Sequence, residues 1–413
     1  MSIGLLGNMN NNNFSVMRYF RDLGADAELV LFKDDASGSL NHFAPEDDTW
    51  EIDKWKPYIR NVDFYCNWKA FYPSLSDLSL PTFGNAIIKE FEKYDKLIGS
   101  GLTPALLSKG NIQLDIFYPY ATGLEYVGTR PLRKLLDKKL SPKNYLYRYI
   151  RAKQIKGLKK TRICLNAEMG LTKQTFNEIG VSFLNHQIPM VYNNYLFKKD
   201  KLDSTLIDMA NHINTHELKI FSHARHLWLN NGSYTTNEWR KRSKNNHWLI
   251  KGFYKLISEN NIKPLLILCN YGKDVNASKK LINDLGLDDY VMWLPKMSRK
   301  KIMYLLSIVD IGVGQFSIED GTIWGGTGWE VLASGKPLLQ SFNFSHDEYV
   351  DYFGHTPPPI CDVKSIDDIA SHLQKFMDDK NFYHEIASKS KEWFDTYNGI
   401  GLARKWLNLL QSS

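Results

Sequence analysis

The sequence predicts an α/β protein made of two Rossmann-like domains. Two series of short apolar strands alternating with amphipathic helices lead to this prediction, one starting at Ile3–Leu6 and the other at Lys219–His223. Strands that alternate with helices form parallel sheets joined by right-handed crossovers. The chain has 413 residues, which is enough for two or three domains. Each series can therefore supply one complete sheet.

The first series opens with the strand Ile3–Leu6, after which Gly7, Asn8 and a run of asparagines form a loop. The next segment, 14–23, has apolar residues at helical spacing and is followed by Gly24, so a helix is predicted there. Further elements are expected as strands at Glu28–Phe32, Val62–Cys66 and Lys96–Ile98, with a helix at Thr82–Lys93.

The second series contains Pro264–Cys269, an uninterrupted apolar run of the kind that is buried on both faces of a parallel sheet. The segment Trp248–Glu259 before it has the periodicity of an amphipathic helix. Further elements are predicted in alternation at Ser278–Leu285, Tyr290–Leu294, Arg299–Ile308, Ile311–Gly314, Trp329–Ala333 and Leu338–Ser341. The first domain is accordingly expected over residues 1–205 and the second over 206–390.

Composition excludes several classes of protein. Hydrophobic residues make up 43% of the chain and charged residues 23%, which excludes a wholly disordered protein. The four cysteines, Cys66, Cys164, Cys269 and Cys361, form no CxxC pair, so neither a disulfide framework nor a structural metal site is expected. The first residues lack the basic and apolar regions of a signal peptide, and no apolar run reaches about 18 residues. A cytoplasmic location is expected.

The segment Asp310–Pro337 carries the most informative pattern, because a predicted strand is followed by a glycine-rich loop and then by a helix. Glycines before a helix N-terminus let a phosphate approach free backbone N–H groups and the positive end of the helix dipole. A carboxylate in the first turns of that helix can accept both hydroxyls of a ribose. The alternative is a plain glycine turn with a solvated glutamate. The expected ligand contacts are Gly325, Gly326, Thr327, Gly328 and Glu330.

This segment resembles the donor-site signature of the retaining family 4 glycosyltransferases, here of the bacterial surface-polysaccharide type. Glu330-Val-Leu-Ala-Ser-Gly-Lys-Pro337 matches the second half of the signature, and Trp324-Gly325 falls at its aromatic-glycine pair. The first glutamate of the signature falls at Thr322, eight residues before Glu330. The resemblance thus implies a sugar contact at a position that is threonine in this chain.

The resemblance also implies a basic pair that holds the diphosphate of the donor. The segments Phe221–Arg225 and Lys244–Ile250 resemble the two parts of that pair, so Arg225 and Lys244 are candidate catalytic residues together with Thr322. A departing nucleoside diphosphate gains negative charge, and two fixed cations stabilise that charge. The alternative for both residues is ordinary surface charge.

The fold that the resemblance implies is GT-B, in which two Rossmann-like domains face each other across a cleft. Gly7 and Asn8 resemble the family's first N-terminal loop, which faces the donor. Residues 391–413 resemble the C-terminal helix that packs back on the N-terminal domain. The resemblance further implies retention at the anomeric carbon. The loop Gly99–Pro104 lacks the histidine that many relatives carry there, so no general base is assigned.

Metal dependence is not expected from this sequence. The chain contains no Asp-x-Asp, the pair with which metal-dependent transferases hold a divalent ion against the diphosphate. We therefore expect a metal-free donor site and no cofactor, because the nucleotide sugar is a substrate.

Residues 130–162 form a strongly basic segment, with thirteen Lys and Arg residues opposed only by Asp137, and with three tyrosines. Cations and tyrosines on one element are typical of a surface that lies on anionic lipid. A peripheral position at the inner face of the membrane is therefore expected. A solvated basic helix is one alternative, and nucleic-acid binding is another. Because no nucleic-acid-binding module is recognisable, nucleic acid is not an expected partner.

Together these features predict a hexosyltransferase-like enzyme that moves a sugar from a nucleotide-sugar donor to a glycan or a lipid-linked acceptor. Two other functions stay open at this point. A GT-B nucleotide-sugar epimerase would need acid and base residues and no acceptor, and a basic nucleic-acid-binding protein would need no donor at all.

Overall fold

The computed structural model describes residues 1–32, 44–62, 88–119, 142–166, 171–187, 191–194, 202–230, 232, 235–236, 239, 242–316 and 325–412. The chain folds into two compact units. Unit 1 comprises Met1–Tyr192 and Tyr397–Ser413, and unit 2 comprises Asn193–Thr396. Within the described ranges, no helix is both long enough and apolar enough to cross a membrane.

Unit 1 is built on a fully parallel sheet. Its strands are β1 (Ser2–Leu6), β2 (Asp26–Phe32), β3 (Ile59–Val62), β4 (Lys96–Gly99), β5 (Ile116–Phe117), β6 (Ile163–Asn166) and β7 (Leu184–Asn185). The spatial order is β3-β2-β1-β4-β5-β6-β7. The helices are α1 (Asn12–Asp22), α2 (Ile52–Trp55), α3 (Thr103–Leu107), α4 (Pro142–Lys160) and α5 (Leu171–Ile179).

Unit 2 is built on a second parallel sheet. Its strands are β8 (Lys219–Ser222), β9 (Leu265–Cys269), β10 (Val291–Leu294), β11 (Ile311–Val313), β12 (Leu338–Gln340) and β13 (Cys361–Asp362), in the order β10-β9-β8-β11-β12-β13. The helices are α6 (Ser204–Ile213), α7 (Asn246–Glu259), α8 (Val275–Asp284), α9 (Arg299–Ile308), α10 (Gly326–Ser334), α11 (His346–Phe353), α12 (Ile366–Asp378) and α13 (Lys380–Tyr397).

The last helix, α14 (Ile400–Gln411), returns to unit 1 and completes its core. Leu402 and Trp406 pack with Ile3 and Leu5 of β1, and the Trp406 ring lies 5.5 Å from the ring of Tyr118. The opposite face of the same sheet packs against α4 and α5 in a second cluster. Both faces of the parallel sheet are thus covered, as such sheets require.

Some predicted elements differ from the observed ones. The strand expected at Val62–Cys66 is formed by Ile59–Val62, which pairs in register with Leu29–Phe32 of β2; residues 63–66 lie outside the described residues. Residues 82–87 of the helix predicted at Thr82–Lys93 also lie outside the described residues.

The units divide the chain at 192/193 and 396/397, where the sequence analysis placed boundaries at 205/206 and 390/391. Asp203 accounts for the first difference. Its carboxylate caps α6 by accepting from the backbone N–H of Leu206 at 2.8 Å, and it pairs with Lys301 of α9 at 2.5 Å. These contacts tie the segment before α6 to unit 2.

Candidate functional site

The strand order of unit 2 indicates where a ligand would bind. The chain runs outward from β8 through β9 to β10 on one side and from β11 through β12 to β13 on the other. In parallel sheets of this kind, ligands occupy the crevice outside the carboxyl ends of the strands where the order reverses. Here that point lies between the ends of β8 and β11, at Ser222 and Val313.

Helix α10 is the next described helix after β11 in the chain, and several glycines lie at its N-terminus. Gly325 is the residue before the first helical turn, and Gly326 and Gly328 lie in it. A Cβ atom added at Gly328 or at Gly314 would collide with the side-chain oxygen of Gln340. A larger residue at either position would displace Gln340, so glycine at these two positions leaves room for the Gln340 side chain.

Glu330 lies one turn into α10 and is buried, with about 7% of the residue exposed. Its Oε2 accepts a hydrogen bond from Nε2 of His223 at 2.6 Å. Its Oε1 accepts one from Nε of Arg299 at 2.8 Å. Three elements therefore meet at this carboxylate: the end of β8, the start of α9 and the first turns of α10.

The electrostatics of this cluster favour an ionised Glu330. Burial alone raises the pKa of a carboxyl group. The hydrogen bond from His223 and the charge of Arg299 outweigh that effect and hold the Glu330 pKa at about 2. The solvated glutamate that the sequence left open as an alternative is therefore wrong, because the carboxylate is buried and paired.

Arg225 lies on the loop that leaves β8, and neighbouring backbone and side-chain groups fix this loop. The N–H of His226 donates to the carbonyl of Tyr271 at 2.7 Å. Oδ2 of Asp274 accepts from the N–H groups of Trp228 and Leu229 at 2.6 and 2.9 Å. Arg225 is exposed at the start of this anchored loop, so its guanidinium is available to a ligand.

The loop of Arg225 is also anchored on the buried hydroxyl of Ser278. Oγ of Ser278 lies 2.8 Å from Nδ1 of His226 and accepts from Nε1 of Trp228 at 2.9 Å. Burial lowers the His226 pKa to about 4, with Asp274 opposing the shift, so this ring is neutral near pH 7. The network is thus a structural support for the loop.

Lys244 lies beside this loop, immediately before α7. Its N–H donates to the carbonyl of Leu227 at 2.7 Å, and Oδ1 of Asn246 accepts from the N–H of Leu227 at 3.0 Å. Burial and the charge of Arg225 lower the Lys244 pKa to about 8. The structure thus brings together the two cations that the sequence analysis paired.

The remaining predicted site residues fall in two places. Thr322, with residues 317–324, lies outside the described residues. Gly7 and Asn8 lie in unit 1 after β1, where Gly7 has a φ of 75° that favours glycine. Oδ1 of Asn8 accepts from the N–H of Phe14 at 2.9 Å, and its Nδ2 donates to Asn11 at 2.6 Å. Asn8 therefore holds the start of α1 in place.

His223 and Arg299 were not singled out from the sequence. His223 is the last residue of the strand predicted at Lys219–His223, and such strand ends are where ligand-binding residues occur in parallel sheets. The sequence predicts Arg299 only as the first residue of a helix, and its separation of 31 residues from Glu330 gives no sign of contact. A polar residue at the end of a predicted strand is a signal that His223 carries and that Arg299 does not.

Comparisons with known proteins agree with this architecture. Residues 239–393 match the family model of glycosyl transferases group 1. A search of curated protein sequences gives no match. Among solved structures, the chain is similar to HepE of Anabaena in complex with UDP and glucose, with a TM-score of 0.59 and 13% identity over 100% of both chains.

Two further structures are similar over the whole chain. A glycosyltransferase of Rickettsia africae ESF-5 gives a TM-score of 0.57 at 14% identity, over 100% of this chain and 98% of that chain. WaaG, a glycosyltransferase involved in lipopolysaccharide biosynthesis, gives a TM-score of 0.50 at 11% identity over 100% of both chains. At such identities the likeness is one of fold, and it confirms the predicted pair of Rossmann-like domains.

Proposed function

We propose that this protein, a glycosyltransferase with the GT-B fold, transfers a hexose from a nucleotide sugar to a glycan or lipid-linked acceptor. One observation supports a nucleotide sugar as the donor. At the carboxyl edge of the sheet in unit 2, a glycine-lined helix N-terminus, a pair of cations and a buried carboxylate occur together. A helix N-terminus and cations suit a diphosphate, and a carboxylate suits the ribose.

The cations also suit the chemistry of transfer. When the bond between the sugar and the diphosphate breaks, negative charge grows on the departing phosphate oxygen. Arg225 and Lys244 would stabilise that charge more strongly in the transition state than in the ground state, which accelerates the reaction. Glu330 would hold the ribose and keep the nucleotide in place.

A ligand screen tests the donor assignment. UDP, GDP, ADP and their glucose conjugates are added at increasing concentration, and thermal unfolding is followed. A ligand at about 100 times its dissociation constant should raise the free energy of unfolding by about 2.7 kcal/mol. The Anabaena structure contains UDP and glucose, which supports starting with UDP-glucose. No stabilisation by any member of the panel would contradict a nucleotide-sugar donor.

Product analysis separates transfer from the alternative of epimerisation. We expect slow hydrolysis of the nucleotide sugar to the free sugar and the nucleoside diphosphate when no acceptor is present. An epimerase would instead return a nucleotide sugar with changed configuration, which NMR distinguishes directly.

We also propose that transfer retains the anomeric configuration and requires no divalent metal. Retention follows from the family resemblance alone. Metal independence is supported by the lack of Asp-x-Asp in the whole sequence and by the two cations at the site. Turnover should therefore continue in excess EDTA, and NMR of the first product should show the donor's own anomeric configuration. Loss of activity in EDTA with rescue by manganese would contradict the metal-free assignment.

The acceptor is proposed to be presented at an anionic membrane surface, and helix α4 supports this. Ile150, Gln154 and Leu158 lie on its buried face. The side-chain carbonyl of Gln154 accepts from the N–H of Ala105 at 2.9 Å, and its amide donates to the carbonyl of Gly101 at 2.8 Å. Anchoring of this neutral face leaves the basic face outward. The exposed residues described on this helix are Arg148, Tyr149, Ala152, Lys156 and Lys159.

Cations and a tyrosine on one exposed face suit an interface with anionic lipid, where each cation contributes about 1 kcal/mol. The predicted segment also includes residues 130–141, which lie outside the described residues. WaaG is involved in lipopolysaccharide biosynthesis, which supports a lipid-linked acceptor of a surface polysaccharide.

Vesicle co-sedimentation tests the membrane assignment. Vesicles with anionic lipid should bind the protein at low salt and release it at high salt. Replacement of Arg148, Lys156 and Lys159 by Glu should abolish binding. Replacement of three exposed lysines of unit 2, Lys263, Lys280 and Lys389, by Glu is the matched control for net charge. If both variants lose vesicle binding equally, α4 is not the membrane-binding surface and the binding reflects only the net charge of the protein.

A further inference from the structure

Each oxygen of the Glu330 carboxylate accepts a hydrogen bond from another side chain of the protein. Nε2 of His223 donates to Oε2, and Nε of Arg299 donates to Oε1. An ionised carboxylate only accepts, so at 2.6 Å the Nε2 atom of His223 carries a hydrogen. The two donors therefore approach the carboxylate on different oxygens.

Two acceptor positions are left over on this carboxylate. A carboxylate offers about four lone-pair sites, and each oxygen of Glu330 uses one in the described part of the chain. One site per oxygen remains, which matches the two hydroxyls of a ribose. About 10% of the Glu330 side chain is exposed, so the side chain is not wholly enclosed by the protein.

The two donors fix the plane of the carboxylate. The side chain of His223 is buried, about 4% exposed, and that of Arg299 is partly buried, about 13% exposed. The two come from separate secondary-structure elements. Hydrogen bonds to an ionised group in a buried site are stronger than those in water. Without His223, the carboxylate is free to turn toward Arg299, because a guanidinium can donate to both oxygens of a carboxylate at once.

We propose that His223 and Arg299 are positioning residues that orient Glu330 so that it selects ribose over deoxyribose in the donor nucleotide. This inference rests on the proposed nucleotide-sugar donor. It differs from that proposal because it assigns the selection to the two partners of Glu330, neither of which needs to touch the nucleotide.

The test measures how well the protein distinguishes a ribonucleotide from its 2′-deoxy form. Dissociation constants are measured by calorimetry for UDP, GDP and ADP and for the matched 2′-deoxy nucleotides. In the unmodified protein the deoxy forms should bind at least about tenfold more weakly, since one hydrogen bond to a charged group is lost. His223→Leu and Arg299→Met should each reduce that ratio to about two or less, since Glu330 is no longer held.

Controls separate positioning from a general loss of structure. Pyrophosphate makes no ribose contact, so its affinity should change little in either variant. His223→Gln keeps an N–H donor and should restore the ratio. Ile311→Val weakens packing in the same sheet, at a buried residue that pairs with Ile220 of β8, and it should leave the ratio unchanged. If His223→Leu does not fold, the ratio is compared between the unmodified protein, Arg299→Met and His223→Gln.

The outcomes are distinguishable. A large ratio in the unmodified protein that survives both substitutions would overturn the positioning role and leave the donor assignment intact. A ratio near one in the unmodified protein, with clear binding of a nucleoside diphosphate, would overturn the ribose role of Glu330 itself. Failure of all six nucleotides to bind would overturn the proposed donor and this inference with it.

Discussion

The two units share a sheet topology and differ in the chemistry of its carboxyl edge. Unit 1 has the core order β3-β2-β1-β4, and unit 2 has the equivalent order β10-β9-β8-β11. In unit 2, the described residues at this edge include Arg225, Lys244 and Glu330, which carry charge. In unit 1, the corresponding loops after β1 and β4 carry asparagine, serine and threonine.

The amides of unit 1 are used mainly to hold its own backbone. Nδ2 of Asn13 donates to the carbonyls of Leu6 and Gly7 at 3.0 and 2.8 Å, and its Oδ1 accepts from the hydroxyl of Tyr118 at 2.7 Å. Asn10 and Asn11 have φ values of 52° and 57°, a region that asparagine tolerates well.

Under the proposed function, this difference would let one topology serve two tasks. Charged groups that are fixed and partly desolvated bind an anionic ligand strongly. Neutral amides and hydroxyls shape a loop and suit uncharged hydroxyl-rich ligands. The comparison therefore predicts that substitutions at the edge of unit 2 change nucleotide affinity and that matched substitutions in unit 1 do not.

The largest effect is expected for Arg225→Ala. Because charge develops on the leaving diphosphate, loss of this cation should lower kcat by about 10²–10³-fold, as for loss of one group that stabilises a transition-state anion. Steady-state kinetics with the nucleotide sugar measure the change. Arg404→Ala, an exposed arginine of α14 in unit 1, is the matched control and should leave kcat unchanged. Normal kinetics for Arg225→Ala would show that the residue is only surface charge.

The next largest effect is expected for Glu330→Gln. The amide replaces one acceptor by a donor, which should weaken nucleoside diphosphate binding by about 1.5–3 kcal/mol. Calorimetry measures the affinity at a temperature where thermal unfolding confirms that the variant is folded. Glu28→Gln in unit 1 removes a carboxylate that accepts from Lys93 and Tyr94 at 2.8 and 2.6 Å, and it should not alter the affinity. Unchanged affinity for Glu330→Gln would reject its ribose role.

A smaller effect, on stability, is expected for Gly272→Ala. Gly272 has a φ of 119°, and an added Cβ would collide with the backbone of His226 in the loop that carries Arg225. Strain of this kind costs about 1–3 kcal/mol, so the midpoint of thermal unfolding should fall and nucleotide affinity with it.

Gly24 of unit 1 is the matched control for this substitution. Its φ is 80°, and nothing lies within 4 Å of an added Cβ. Gly24→Ala should therefore cost only the backbone strain and leave nucleotide affinity as it is. Equal losses of affinity in the two variants would mean that the loop of Arg225 has no special link to binding.

The smallest effect is a pH dependence of nucleotide binding. Burial and Arg225 lower the Lys244 pKa from its ordinary value to about 8, so its ammonium loses its proton as pH rises through about 8. An anion binds the protonated form, so affinity should fall above pH 8 by up to about tenfold per pH unit. Lys244→Arg stays protonated over this range, and its affinity should be flat between pH 7 and 9. A flat profile in the unmodified protein would contradict the contact.

Much of unit 2 was predictable, because its elements follow local rules. Leu265–Cys269 reads as a buried strand from five consecutive apolar residues, and Gly335 ends α10 in the left-handed conformation that glycine prefers. Arg299–Ile308 was predicted at its observed bounds. Less of unit 1 was predictable. The short strands Ile116–Phe117 and Leu184–Asn185 carry no periodic signal and exist only because neighbouring strands pair with them.

The sequence by itself determined the alternation of strands and helices, the glycine-lined start of α10 and the presence of Arg225, Lys244 and Glu330, since each of these depends on residues close together in the chain. The tertiary structure alone decided that His223 and Arg299 meet at Glu330. Residues separated by 107 and 31 positions make these contacts. Such contacts arise from the order of strands in the sheet, and local propensity does not encode that order.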